Sequence, residues 1–154
     1  MSPWRPESIL HRLDALLQLL PHQPPMRLIE EILEVVPRQR AVARRRAHGS
    51  DWYFDGHFPG QPVIPAVVLV ELLAQTGGLA AGAPEPGTPA QPLQLRVAAL
   101  GPFKFPAAAG AGVVLEATAR VAGSLGGLHK IEGEVRADDV LVAAGSLTLA
   151  EARR

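Results

Sequence analysis

Apolar positions follow two rhythms along the chain. Residues 7–20 place Ile9, Leu10, Leu13, Leu16, Leu17 and Leu20 at helical spacing, with Arg12, Asp14 and Gln18 between them. Ser8 stands where a cap belongs, and Pro21 ends the helix. Leu28, Ile29, Ile32, Leu33, Val35 and Val36 fit a helix as readily as a strand, and residues 40–47 alternate poorly. Periodicity therefore leaves this part of the chain open. Residues 63–83 are apolar on nearly every side, interrupted by Glu71 and Gln75 and followed through by Gly77-Gly78. That pattern predicts a helix buried in a core.

From Leu93 onward the period falls to two. Leu93, Leu95, Val97 and Ala99 alternate with Gln94, Arg96 and Ala98, which predicts a strand with one inward row. Val113, Leu115, Ala117, Ala119 and Val121 alternate more cleanly with Val114, Glu116, Thr118 and Arg120. Gly126-Gly127 marks a turn into residues 128–136, and Asp138-Asp139 marks another into residues 140–149. Consecutive hairpins mean an antiparallel sheet. A sheet plus one all-round apolar helix predicts an α+β layout in which the sheet wraps the helix, as a single domain over residues 1–154. Residues 83–92, with Pro84, Pro86, Pro89, Pro92 and Gly87, read as a loop inside that domain.

Composition narrows the function classes. Lys+Arg and Asp+Glu both number 15, so no basic excess points to nucleic acid. The absence of cysteine removes disulfides, thiolate metal sites and cysteine nucleophiles, and fits a reducing, cytoplasmic setting. Glu7 and Asp14 interrupt any signal-peptide layout. Residues 63–83 are long enough to span a bilayer, but Glu71 and Gln75 near their centre favour a core helix, so no membrane is expected. On a strand Arg44, Arg45 and Arg46 would point to opposite faces, which predicts a solvated edge rather than one basic patch. Trp52, Tyr53 and Phe54 are expected to pack the following loop against the core.

The chemistry concentrates around that loop. His57 opens a segment stiffened by Pro59, Pro62 and Pro65, and imidazole is the usual general base near neutrality. A carboxylate buried at Glu71 is costly unless paired, and burial is expected to push it upward, toward a general acid. Gln75 lies one turn beyond on the same face, placed to orient it. At the start of the helix, Pro65 leaves the amides of Ala66 and Val67 without intrahelical partners, a setting for a carbonyl oxygen that becomes negative. A base, an acid and an oxyanion site fit proton abstraction beside a carbonyl with loss of a hydroxyl. The other histidines read as structural: His11 on the first helix, His48 in a loop, His129 on an inward face, and His22 in its proline-rich segment. No pair has metal-site spacing, so no metal is expected.

At these residues the chain resembles the 3-hydroxyacyl-(acyl-carrier-protein) dehydratases. Leu20-Pro21-His22-Gln23-Pro24-Pro25-Met26 is similar to the family's Pro-His-x-x-Pro motif. Residues 56–75 match its central motif, His-Phe-Pro-Gly-x-Pro-x-x-Pro-Gly followed by an acidic residue and Ala-Gln, and Phe103-Lys104-Phe105-Pro106 resembles its Phe-x-x-Pro segment. The resemblance implies a hotdog fold, a curved antiparallel sheet around one long helix, with strands at 27–36 and 39–48. It implies a homodimer with shared active sites, open to further assembly, in which His57 of one chain faces Glu71 of the other. His57 would take the α-proton of a substrate carried on acyl carrier protein, and Glu71 would assist departure of the 3-hydroxyl. Gly60, Ala66, Val67 and Gln75 would contact substrate, and no cofactor is required. Glutamate at position 71 is similar to the members that dehydrate without isomerising the double bond. Three departures stand out: Ala66 in place of glycine, Ala109 and Ala111 in place of proline and aspartate around Gly110, and Phe105 in place of arginine. A thioesterase, or a subunit that binds carrier without turnover, are the competing readings.

Overall fold

The computed structural model describes residues 13–89 and 91–152. Six strands form one antiparallel sheet: β1 (Glu31–Val36), β2 (Arg40–Arg46), β3 (Leu95–Lys104), β4 (Val114–Leu125), β5 (Leu128–Ala137) and β6 (Val140–Glu151). Their order across the sheet is β1-β2-β4-β5-β6-β3. The central helix, Ala66–Gly82, lies against the inner face, packing on β4, β2, β6 and β5. This is the expected α+β wrap. Residues 13–17 are helical, with Leu13, Leu16 and Leu20 buried, while Ser8, Ile9, Leu10, His11 and Arg12 lie outside the described residues. The ambiguous pair at 27–36 and 39–48 resolves into β1 and β2, joined by a turn in which Arg38 takes a positive φ of 67°.

Alternation on β4 and β5 aims Leu115, Ala117, Ala119, Ile131 and Val135 at the helix, all at 0% exposure. Register shifts in four of the five strand pairings, at Ile32/Glu34, Val97/Ala99, Leu100/Phe103, Val121/Gly123 and Val135/Arg136, bend the sheet around it. The approach is close enough that Gly77 and Gly133 cannot carry a methyl group unchanged. A Cβ on Gly77 would sit 2.9 Å from Ile131 Cγ2, and one on Gly133 would meet the Thr118 carbonyl and Leu73. Leu72, Leu73 and Leu79 are fully buried, each stabilising the fold by about 1.5–3 kcal/mol. Ala83 closes the helix by donating its N–H to the Leu79 carbonyl, and Pro84 bars its continuation.

β3 departs from expectation. Leu93 is buried and Leu95 half-buried, but Val97 and Ala99 of the supposed inward row are exposed, as is Leu100. The strand lies at the edge of the sheet and only β6 covers it, so its apolar row runs out past the helix. The arginine run also needs correcting. β2 is an interior strand between β1 and β4, not an edge. Arg44 and Arg46 face solvent, with Arg44 paired to Glu116, whereas Arg45 turns inward.

Arg45 anchors the loop that leads to His57. Its guanidinium meets Asp51 at 2.7 Å, donates to the Leu28 carbonyl at 3.0 Å, and lies 3.4 Å from the Tyr53 hydroxyl. Asp51 also accepts from Tyr53 and from the His48 backbone N–H. Both charged side chains are only about a tenth exposed, at 11% and 10%. Burial pushes the Asp51 carboxyl up, yet the bonds from Tyr53 and Arg45 outweigh it and hold it below its usual range. Burial and the bond to Asp51 push the Tyr53 phenol up to about 12. Tyr53 and Phe54 are buried, while Trp52 stays exposed and donates to the Pro25 carbonyl.

Two outcomes follow from this clamp. Arg45→Met leaves Asp51 buried without its cation and should cost about 3 kcal/mol, read as a lower urea midpoint at unchanged slope. Tyr53 is the only tyrosine, so phenolate absorbance reports it alone. Because its folded pKa is raised, the stability it contributes is complete below the usual value of 10 and is lost as pH climbs toward about 12. The phenolate signal should lag beyond pH 10 while the protein stays folded, and Asp51→Asn should move it back toward 10.

Candidate active site

Helical spacing puts Glu71, Ala74, Gln75 and Gly78 on one face of the central helix. That face lines a cleft of about 250 Å³, with Leu20, Pro21 and His22 on one side and Leu93, Leu95, Arg96, Val97 and Leu149 on the other. Apart from His22, Glu71, Gln75 and Arg96 the walls are apolar. A Cβ on Gly78 would meet nothing within 4 Å, so the cleft is open at that depth.

Gln75, 1% exposed, is saturated with partners. Its amide nitrogen donates to the Met26 carbonyl at 2.7 Å and to Glu71 Oε1 at 3.0 Å, and its oxygen accepts from the Leu28 N–H at 2.9 Å. His22 Nε2 approaches the same Glu71 oxygen to 3.3 Å, just beyond the ordinary hydrogen-bond range. Burial pushes the Glu71 carboxyl up, but His22 and Gln75 outweigh it, and the carboxyl is held below its ordinary value. The expected upward shift is thus reversed. The groups responsible come from the segment around Pro21 and from one helical turn away. Glu71 is a carboxylate at neutral pH.

His57 lies on the loop before the helix and is half-buried, its ring stacked on Phe58 at 4.2 Å. Its Nδ1 is 2.8 Å from the Val63 carbonyl oxygen. A carbonyl only accepts, so Nδ1 carries the proton and Nε2 keeps the lone pair that a base needs. The loop folds back on itself, with the Val63 N–H donating to the His57 carbonyl and the Ile64 N–H to the Ala109 carbonyl. Gly60 sits in its exposed tip at a φ of 73°, a left-handed conformation that suits glycine. Ala66 and Val67 begin the helix after Pro65, and both are exposed, Val67 at 74%.

Within one chain these residues form two groups. Glu71 and Gln75 share the cleft with His22, whereas His57, Gly60, Ala66 and Val67 lie at the loop and helix start and line no wall of it. His22, read as structural from the sequence, lines the cleft with its ring beside Glu71. The signal was its motif, Pro21-His22-Gln23-Pro24, and nothing local connected that motif to Glu71. The other two described histidines have partners: His48 meets Glu30 at 2.8 Å, and His129 is held by Ser124 at 2.7 Å and Glu151 at 3.0 Å. Among the described residues no three His, Asp or Glu side chains converge as metal ligands.

The 3-hydroxyacyl-[acyl-carrier-protein] dehydratase FabZ of Moorella thermoacetica is 48% identical over 67 residues, 44% of this chain and 47% of that protein. FabZ of Ligilactobacillus salivarius is 48% identical over 63 residues, 41% of this chain and 45% of that protein. The chain thus matches about half the length of these relatives. Among solved structures, the dehydratase heterocomplex ApeI:P of Xenorhabdus doucetiae superposes with a TM-score of 0.76 at 18% identity, covering 90% of this chain and 91% of that one. Cj0977, a sigma28-regulated virulence protein of Campylobacter jejuni, does so at 0.69 and 11% identity, covering 100% and 97%. These neighbours share the hotdog fold. The FabA-like domain model matches residues 20–146, and the chain belongs to that family.

Proposed function

We propose that this protein dehydrates a 3-hydroxyacyl thioester, carried on acyl carrier protein, to the trans-2-enoyl thioester. The observation that carries the reading is Glu71: a carboxylate fixed by Gln75 and His22 on the wall of an apolar cleft, in a FabA-like chain. The FabZ relatives, named for this reaction, support it.

His57 Nε2 removes the proton from C2 of the substrate. Amides at Ala66 and Val67, with the helix dipole behind them, stabilise the negative charge on the thioester oxygen. The C3–O bond then breaks. Because Glu71 is ionised, it accepts a hydrogen bond from the 3-hydroxyl and orients it, and the proton that leaves with the oxygen as water is the one His57 has taken up. Gly60 lets the loop tip approach the substrate, and Gln75 orients Glu71. Ala66 keeps the backbone amide that glycine would supply, and it is exposed at the start of the helix.

His57 and Glu71 meet through a second copy of the chain. Phe58, Val67, Val97, Leu100 and Phe105 expose large apolar surface, and β3 has an unpaired edge. Pairing two copies about a two-fold axis covers that surface and brings the His57 loop of one subunit to the cleft of the other. Among the described residues no helix is long and apolar enough to cross a membrane. The reading carries a cytoplasmic setting with it, and further assembly of dimers is compatible with it.

Purified protein should convert 3-hydroxyacyl thioester on acyl carrier protein to enoyl product. His57→Ala and Glu71→Gln should each lower kcat by about a hundredfold or more. Thiol release without enoyl product identifies a thioesterase, and carrier binding without turnover identifies an inactive subunit.

A further inference from the structure

We propose that His22 is a positioning residue of this site, one that shares with Gln75 the clamping of Glu71 Oε1 and so leaves Oε2 alone to meet the hydroxyl of the substrate. The proposal rests on the dehydratase reading for the identity of that hydroxyl. The clamp itself does not depend on it.

Two donors converge on one oxygen, His22 Nε2 at 3.3 Å and Gln75 Nε2 at 3.0 Å. Among the described residues, Oε2 has no partner. His22 Nδ1 is buried and is the only buried side-chain nitrogen or oxygen among the described residues without a hydrogen-bond partner. A proton there would be a buried donor with nothing to accept it, so the neutral ring carries its proton on Nε2, directed at Glu71. The ring is held in place from both sides along the chain. Leu20 is buried in the core two residues before it, and Met26 and Leu28 are bonded to Gln75 after it. Pro21, Pro24 and Pro25 restrict the backbone in between. His22 is thereby fixed on the same helix face that presents Glu71. A displacement of about 1 Å at such a carboxylate costs on the order of a hundredfold in rate, which is the scale of effect a clamp can have.

Charge in the cleft comes from few groups. Of its lining residues, His22 from the N-terminal segment, Glu71 from the helix and Arg96 from β3 are those able to carry it. The carboxyl lies below its ordinary value in the presence of His22, so removal of the ring should raise it.

The test is kcat and KM for wild type, His22→Ala and His22→Gln, with a thermal midpoint for each and an NMR titration of the Glu71 carboxyl carbon. His22→Ala should lower kcat by about tenfold or more with KM changed by less than about twofold, and the Glu71 titration midpoint should rise. His22→Gln restores an N–H donor and should recover most of kcat and the original midpoint. If His22→Ala does not fold, His22→Leu, which fills the space without a donor, takes its place. An unmoved Glu71 midpoint in the donor-less variant overturns the proposal, as does a His22→Gln variant that folds but performs no better than it. Should wild type yield no enoyl product, the dehydratase reading falls by itself, and the Glu71 titration, which needs no substrate, still decides the clamp.

Discussion

A buried amide is the junction of this molecule. Gln75 is almost fully removed from water, and an unbonded amide at that depth would cost on the order of 1–3 kcal/mol per polar group. Its three bonds run to different parts of the chain: Glu71 on its own helix, the Met26 carbonyl, and the Leu28 N–H. Leu28 passes the connection on, because its carbonyl accepts from Arg45, which pairs with Asp51 just ahead of the His57 loop. One continuous polar network therefore links the carboxylate in the cleft to the base of the loop. Such networks hold a unique arrangement only while every member is satisfied. The bonds to Glu71 from Gln75 and His22, on a side chain still 28% exposed, explain why a helix otherwise packed with leucine and alanine tolerates a carboxylate.

The network also separates what one chain completes from what it leaves open. The cleft around Glu71 is finished on the helix side and bordered on the other by β3, an edge strand whose apolar side chains are exposed. His57 has its tautomer set by Val63 and waits on a loop that lines no part of that cleft. Exposed Phe58 and Val67 flank it. Exposed apolar side chains at the edge strand, at the loop and at the helix start support the proposed pairing with a second copy.

Much of this was legible in the sequence, for physical reasons that differ by element. β4 announces itself by strict alternation, and β5 and β6 by the turns that precede them, since Gly126-Gly127 and Asp138-Asp139 take the positive φ values that tight hairpins require. The helix was legible because residues 63–83 are apolar on nearly every side, with Glu71 and Gln75 the marked interruptions. β1 and β2 were not, since Ile32, Val35 and their neighbours satisfy both periods and only tertiary pairing decides. The exposure of Val97 and Ala99 was hidden because alternation reveals which side chains share a face, not whether anything covers that face. Glu71 was found, but the direction of its pKa was not, because burial is a local property and the contact with His22 is a long-range one. His22 itself required the fold.

The central claim is that His57 and Glu71 of different chains build one site. Mixing the two inactive variants, His57→Ala and Glu71→Gln, under conditions that exchange subunits tests it directly. A mixed dimer holds one intact pair, His57 from the Glu71→Gln subunit and Glu71 from the His57→Ala subunit. The account predicts partial recovery of enoyl formation on mixing. Mixed dimers confirmed by mass yet without recovered activity would contradict it.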